Sequence, residues 1–384
     1  MTTTIFFGVL FVFLYPYVIF PTAVVLVARF FGNHKLSGGS GDGEFPKVSL
    51  IISAYNEELV IGEKISNSLG LDYERARLQI IVASDGSTDQ TKTIVEGFAD
   101  AGVCLWHSEI RRGKNNCLNE AMPLATGDIV VFTDANAMFD RAAVKALVKG
   151  FHSARVGCVV GKECRISKRK SGTSKSDGLY WSFENLIKRA QNRLGLVLVG
   201  NGPIFAIRRE LFKPLRNDIA NDFQTPMQIG NDGWAVVFQE GAISFENSAT
   251  SAREEYDRKV RIVTRGLVGF EQHAREMRGL RLFTFVSHKM MRWFGLYLQI
   301  LILSLSLLLL SQQSVIAIYA LAAQVSVYAL AVLGSFNPWN IRRIKLIAIP
   351  FYFCLVNVAA AVAIIKYAKG SRVSVWEKAI SVRS

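Results

Sequence analysis

The sequence predicts an α/β fold, a doubly wound and mostly parallel sheet inserted between transmembrane α-helices. Two observations predict it. From Pro46 to about Ala252, short β-branched or apolar runs alternate with stretches of helical spacing, the order that builds a parallel sheet with both faces covered. Outside that region, apolar residues gather in nearly uncharged runs toward both ends of the 384-residue chain. These runs raise the hydrophobic fraction to 50% and the mean hydropathy to +0.25.

Residues 1–35 read as an N-terminal transmembrane anchor. The stretch 5–31 has no charge before Arg29 and exceeds the ~20 residues that cross the hydrocarbon layer. It lacks a basic leading segment and a small-residue cleavage site, so it reads as retained. Pro16 and Pro21 are expected to kink it. The following Arg29, His34 and Lys35 place the next domain in the cytoplasm by the positive-inside rule. Residues 36–45, rich in Gly and Ser, form a linker.

The domain 46–252 is expected to carry strands at 48–52, 78–83, 103–105 and 129–132. Helices are expected over 59–69, 88–99, 115–125 and from Asp140 through Lys149, with Ser87 or Asp89 capping the second. Residues 165–177 read as a basic loop. In 253–291, Tyr256, Val260, Val263, Leu267, Phe270, Ala274 and Met277 mark one stripe of an amphipathic helix suited to a membrane interface or to packing against the sheet. Residues 292–367 offer candidate spans at 293–310, 315–333 and 346–365, and 368–384 is a basic tail. One span before the domain and three after it leave that tail outside, yet Lys366, Lys369, Arg372, Lys378 and Arg383 argue for inside. One apolar segment is therefore expected to be interfacial or re-entrant. The net charge of +14, from 45 Lys+Arg against 31 Asp+Glu, fits an anionic lipid surface. With apolar ends of this kind, no nucleic-acid partner is expected. The five cysteines show no zinc or CxxC spacing and read as buried free thiols in a reducing compartment.

The candidate site lies at the carboxyl ends of these strands, where open α/β sheets bind ligands. Ile129 to Phe132 form a buried strand, and Asp134 and Asn136 follow it, two oxygen-bearing side chains able to share one hard cation with substrate phosphates. Tyr55-Asn56-Glu57 ends the first strand, and Asp85-Gly86-Ser87-Thr88-Asp89 ends the second. Gly86 permits close backbone approach, and the next helix start favours phosphate. Arg111-Arg112-Gly113-Lys114-Asn115 sets cations near a diphosphate. Neighbouring strand ends thus converge on a metal-bound nucleotide.

Taken in order, these stretches resemble a membrane-bound family-two glycosyltransferase with the GT-A fold. The resemblance continues through Gly113-Lys114-Asn115-Asn116-Cys117-Leu118-Asn119, through the segment from Gly200-Asn201-Gly202-Pro203 to Glu210, through Asn221-Asp222-Phe223, and through Arg258-Lys259-Val260-Arg261-Ile262. Membrane relatives of this kind include synthases of hyaluronan, chitin-like oligomers, poly-N-acetylglucosamine and cellulose. The resemblance implies nucleotide contacts from Tyr55, Asn56, Glu57, Asp85 and Lys114, with Asp134 and Asn136 at a Mg²⁺ or Mn²⁺ ion. It implies Asp222 as general base, Arg258 and Arg261 at the leaving diphosphate, and Asn201, Gly202 and Pro203 at the acceptor. Three positions depart from the pattern. Asn136 replaces a second aspartate, Asn221 an acidic residue, and Ile262 the tryptophan on which processive enzymes stack the acceptor sugar. Trp234 and Trp181 are bulky enough to replace that platform.

The function expected is inverting transfer of a hexose from a nucleotide sugar, a UDP-sugar first, to a lipid-linked or membrane-adjacent glycan. The setting expected is a multi-pass protein of the cell membrane with its catalytic domain cytoplasmic. A processive synthase that also translocates its product is the alternative within the class. An inactive nucleotide-sugar-binding scaffold is the alternative outside it. A transporter is disfavoured, because 293–365 holds few ionisable residues outside one basic loop.

Overall fold

A computed structural model of the chain describes residues 1–32, 45–166, 172–248, 251–337, 341–342 and 344–372, with backbone alone for 172–180. The expected linker, most of the basic tail and Arg343 lie outside the described residues.

The chain opens with α1 (Thr2–Leu14), a π-helical turn at Tyr15–Ile19 containing Pro16, and α2 (Phe20–Phe31). The domain then runs β1 (Val48–Ala54), α3 (Ile61–Leu69), β2 (Leu78–Asp85), α4 (Thr91–Glu96), β3 (Val103–Ser108), α5 (Lys114–Ala121) and β4 (Ile129–Asp134). It continues through β5 (Met138–Phe139), α6 (Ala143–Lys149), β6 (Val156–Ile166), α7 (Gly172–Arg193), β7 (Phe205–Arg208), α8 (Asn221–Asn231) and β8 (Ala235–Asn247). After it come α9 (Ala252–His273), α10 (Gly279–Phe285), a π-helical turn at Val286–Met290, α11 (Met291–Trp293), α12 (Gly295–Ser311), α13 (Val315–Phe336) and α14 (Lys345–Ala368).

The strands form an 8-stranded sheet in the order β3-β2-β1-β4-β7-β6-β8-β5. The β3-β2-β1-β4 part is parallel, β7 runs against both its neighbours, and β6 and β8 are parallel. The chain winds outward from β1 to β3 and returns to β4 on the other side of β1. The switch point therefore lies between β1 and β4, where Ser53 stands opposite Asp134. Every residue of β1 and β4 is buried. Leu50, Ile52, Ile80 and Val131 pack on one face, and Ile51, Ile81, Val130 and Phe132 on the other. This two-faced burial explains the unbroken apolar runs in the sequence. Phe132 is 1% exposed and stacks on Phe205 at 5.0 Å between centroids. Phe132→Ala is expected to cost about 3–5 kcal/mol, read as a lower urea midpoint for the detergent-solubilised protein.

The helical part departs from the expected layout. Among the described residues three helices are long and apolar enough to cross a membrane, Thr2–Phe31, Val315–Phe336 and Lys345–Ala368, and a fourth arises if 279–293 and 295–311, bent by 63°, count as one. Packing separates these candidates. Phe6 of α1, Ile302 and Leu309 of α12, and Ala317 of α13 share one apolar cluster. Gln312 Nε2 donates to Thr2 Oγ1 at 3.4 Å, which sets the Thr2 end of α1 beside the α12–α13 turn. In α2, by contrast, Phe20, Val24 and Ala28 pack on Ala190 of α7, so this half of the expected anchor docks on the α/β domain.

α14 lies along α9. Tyr352 Oη donates to Glu255 at 3.0 Å and Tyr367 Oη to Glu271 at 2.8 Å, while Ala359, Ala360 and Ala363 cover Val260, Val263 and Leu267. The α9 stripe expected to meet the membrane interface thus meets α14, whose small alanines admit close approach. Of the expected loop at 165–177, residues 167–171 lie outside the described residues, while β6 runs to Ile166 and helix begins at Gly172. All five cysteines are free, but Cys117 and Cys158 alone are buried and the other three half-buried.

Candidate active site

The carboxyl ends of β1, β2 and β4 frame a cleft of about 480 Å³ lined by Tyr55, Glu57, Asp85, Arg111, Lys114 and Asp134, among others. Two turns make its floor. Asn56, at φ 51°, accepts from Thr88 N at 2.7 Å through Oδ1, and its own backbone N–H donates to Ser87 Oγ at 3.0 Å. Glu57 N donates to Thr91 Oγ1 at 2.7 Å. The loops after β1 and β2 are therefore laced together by the Asn and Ser/Thr residues of their motifs. Gly86 is required there: its φ is +69°, and a Cβ would lie 2.5 Å from Arg111 N.

Asp85 is buried and accepts from Arg112 N at 2.8 Å and Gly113 N at 2.9 Å, so it anchors the loop that opens α5. Arg111 in that loop lies 3.9 Å over the Tyr55 ring, a cation–π stack at the cleft wall. Lys114 pairs with Asp134 Oδ1, which also accepts from Ser53 Oγ at 2.9 Å. Beneath the Asp134 turn, Lys64 is fully buried, donates to Thr133 Oγ1 at 3.1 Å and to Ala137 O, and lies 4.0 Å over Phe139. Burial pulls this ammonium down to about 7, against the pull of Asp134.

Asparagines of α5 tie the cleft to the next wall. Asn119 exchanges bonds with Leu215 at 2.8 Å in both directions, Asn115 donates to Ile219 O at 2.7 Å, and Asn116 N donates to Asn217 Oδ1 at 3.0 Å. This ladder fixes the 215–219 loop and, directly after it, α8 with Asp222 in its first turn. Asp222 is absent from the cleft lining. Its carboxylate faces the 200–202 segment, where a Cβ on Gly202 would stand 3.4 Å from Oδ2, and its carbonyl accepts from Gly200 N at 2.6 Å. Asn201 is buried and fully engaged, accepting from Lys188 Nζ at 2.7 Å and donating to Gly161 O at 2.6 Å. Pro203 is buried beside it.

α9 closes the arrangement. Burial lowers Arg261, which faces Arg258 on its own helix and Asp134 and Glu246 across from it. Arg258 is gripped by Glu255, Nε to Oε2 at 2.8 Å and Nη2 to Oε1 at 3.0 Å. Arg265, unremarked in the sequence, donates to Asn217 O at 2.7 Å and Ile219 O at 2.8 Å, and burial lowers it to about 10 with Asp222 opposing. Its spacing from Arg258 and Arg261, on one helical face, is the signal that would have found it. Ile262 is 49% exposed on another face.

Two expected side chains need separate treatment. Asn136 Nδ2 donates to Glu246 Oε1 at 2.9 Å, and Glu246 pairs with Arg165 at 3.1 Å, so a carboxylate stands one bond behind the position where an aspartate was expected. Trp234 does not belong to the acceptor region. It precedes β8, whose carboxyl end lies beside that of β6 and on the same side of the sheet as Asp134; Trp234 is therefore at the opposite end, packed against the core near Gly157. Trp181 has the Arg165 guanidinium 5.7 Å from its ring, near the carboxyl end of β6.

As a metal site, the donors fit one that is shared with a ligand. Among the described residues no three His, Cys, Asp or Glu side chains group to hold an ion by themselves. A single carboxylate, Asp134, at the mouth of an open cleft matches Mg²⁺-type coordination, in which substrate phosphates complete the shell.

Comparison with known proteins agrees with this layout. Residues 49–216 match the profile of glycosyl transferase family 2. A probable glycosyltransferase, YdaM of Bacillus subtilis, is 29% identical over 214 residues, 53% of this chain and 51% of the relative. Poly-beta-1,6-N-acetyl-D-glucosamine synthase of Staphylococcus aureus is 31% identical over 157 residues, 40% of this chain and 37% of the relative. The matched segments thus span about half or less of these relatives' lengths. The mannosyltransferase PcManGT of Pyrobaculum calidifontis, solved with GDP-Man and Mn²⁺, superposes with a TM-score of 0.72 at 22% identity, covering 97% of this chain and 100% of that one. A sheet that switches direction between β1 and β4, with its motif residues gathered at that switch, is therefore a glycosyl transferase family 2 domain of GT-A type, and helices able to span a membrane flank it.

Proposed function

We propose that the protein is an inverting glycosyltransferase that moves a hexose from a nucleotide sugar to a lipid-linked or membrane-adjacent glycan. One observation carries this reading: the cleft holding Asp85, Lys114 and Asp134 is tied by the asparagine ladder of α5 to the helix that presents Asp222. Donor and base are then held on one rigid frame, which is what near-attack geometry requires. Asp222 takes the proton of the acceptor hydroxyl as the bond to the anomeric carbon forms. Lys114, Arg111 and Arg261 oppose the charge that grows on the departing nucleoside diphosphate, for which planar guanidinium groups are suited. Asp134 would hold a divalent ion, Mg²⁺ or Mn²⁺, with Asn136 beside it turned by Glu246; the ion would supply Lewis-acid stabilisation of the leaving diphosphate. Ile262, exposed on α9, and the packing of α1, α12 and α13 against one another favour single transfer over processive synthesis with export.

A uridine diphosphate is the first candidate donor, and the GDP-Man of PcManGT makes a guanosine donor the necessary comparison. The test is nucleotide release from purified protein across a panel of UDP- and GDP-sugars with Mn²⁺, followed by product mass. One added hexose is expected. Release with no donor of the panel would leave a binding scaffold instead. Trp181→Ala is expected to raise acceptor KM about three- to tenfold and leave nucleotide affinity unchanged, whereas Trp234→Ala is expected to change stability alone.

The spans in this reading are α1 continued through the Tyr15–Ile19 turn, because the 13 residues of α1 alone are too short, then α12 and α13. Tyr352 and Tyr367 of α14 are bonded to α9, which itself packs on the catalytic domain, while Ile347 and Phe351 near its start pack against Gly334 at the end of α13; on the α9 pairing α14 is placed on the domain's side of the membrane. Three spans return the chain to that side, where Arg342, Lys345, Lys366, Lys369 and Arg372 are all cytoplasmic. Single Ser371→Cys and Gln313→Cys variants check it in sealed inverted vesicles with a membrane-impermeant maleimide. Labelling above the parent is expected at 371, on the catalytic side, and not at 313.

A further inference from the structure

Away from the nucleotide cleft, a narrow second pocket opens where α7, the 197–199 backbone and the 286–290 turn meet, with Lys188, Gln191, His288 and Lys289 in its wall. Its charges do not balance. Glu184 accepts from Lys289 Nζ at 2.7 Å, pairs with Arg292 Nη1 and stands 3.4 Å from His288 Nε2. Lys188, 7% exposed, donates at 2.7 Å to the neutral Asn201 amide and forms no ion pair among the described residues. Arg292 Nη2 is buried with no hydrogen-bond partner among the described residues. Lys289 and Arg292 thus share a single carboxylate at contact distance, and Glu184, Asp222 and Glu163 reach Lys188 only at longer range. Burying cations beyond their counter-charges is strongly unfavourable, and a bound anion relieves it.

The cavity's position says which anion. One wall, 197–199, runs on into Gly200 and Gly202, which face Asp222. On the other side Ser287 meets Tyr15 Oη at 3.1 Å and Arg292 Nε donates to Pro16 O at 3.2 Å. Tyr15 and Pro16 lie in the turn where α1 leaves the apolar helix bundle and α2 begins to dock on the domain. An anion here would sit between the bilayer surface and the base. We propose that this cavity binds the phosphoryl group of a membrane-anchored acceptor, whose lipid stays in the bilayer while its hydroxyl-bearing end reaches Asp222. The acceptor role rests on the transferase reading above; the binding does not require turnover.

The test is binding of dodecyl phosphate to the full chain in neutral detergent, with dodecanol and inorganic phosphate as comparisons. Tight binding of dodecyl phosphate is expected, and Lys289→Gln is expected to weaken it about tenfold or more, the effect of one lost charge-assisted bond. Lys289→Arg is expected to retain it. Lys188→Met, on a different helix, is expected to act like Lys289→Gln, which keeps the test open if one variant fails to fold. Dodecanol and inorganic phosphate are expected to bind at least about tenfold more weakly than dodecyl phosphate. Unweakened binding in both variants overturns the proposal. Equal binding of inorganic phosphate overturns its lipid part, and displacement of dodecyl phosphate by a nucleoside diphosphate assigns the site to the donor. Absent sugar transfer in the parent would count against the transferase reading while leaving these binding outcomes intact.

Discussion

Asp222→Asn is expected to lower kcat for sugar transfer by about 10²–10⁴-fold, the range supplied by a positioned general base. The substitution is nearly isosteric. It keeps the backbone bond from Gly200 N to Asp222 O and removes only the carboxylate that faces Gly202. Asp222 also lies outside the lining of the nucleotide cleft, so nucleoside diphosphate affinity is expected to stay at the parent value. A fall in kcat with unchanged nucleotide binding is the signature of a group acting on the acceptor side. Undiminished transfer in the variant would remove the base assignment and reopen the choice among nearby groups.

Asp134→Asn is expected to lower transfer by about 10²–10³-fold, the loss typical of removing a preorganised electrostatic contact at the reacting charge. A second readout separates this from simple unfolding. Mn²⁺ is expected to strengthen nucleoside diphosphate binding to the parent and to have no such effect on the variant, measured by titration calorimetry. Lys114 would then face a neutral amide in place of the carboxylate it pairs with, which lowers stability by about 1–3 kcal/mol. Lys114→Met provides the contrast, because it breaks the same pair and leaves Asp134 able to respond to Mn²⁺. Nucleotide binding that is insensitive to Mn²⁺ in the parent would overturn the metal assignment.

Much of the site was legible because its motifs are local. Each strand of the parallel half ends in its own chemistry, and Tyr55, Asp85, Lys114 and Asp134 lie at most a few residues beyond strands whose apolar runs are unmistakable. Parallel strands wound about one switch point must bring those ends together, so spacing along the chain sufficed. Asp222 was legible as a motif, but its place in a wall separate from the nucleotide cleft was not. That placement comes from Asn115, Asn116 and Asn119 bonding to a loop about a hundred residues later, a pairing with no periodicity to betray it.

The sequence by itself determined the four strands of the parallel half, whose unbroken apolar runs reflect burial on both faces, and the apolar character of the flanking helices. Only the tertiary structure decided that Trp234 serves the core at the end of the sheet opposite Asp134, because the side of a sheet on which a loop emerges depends on strand direction. It likewise decided that α14, as apolar as any span, lies against α9: hydropathy measures what a helix can bury, and packing decides what it buries against.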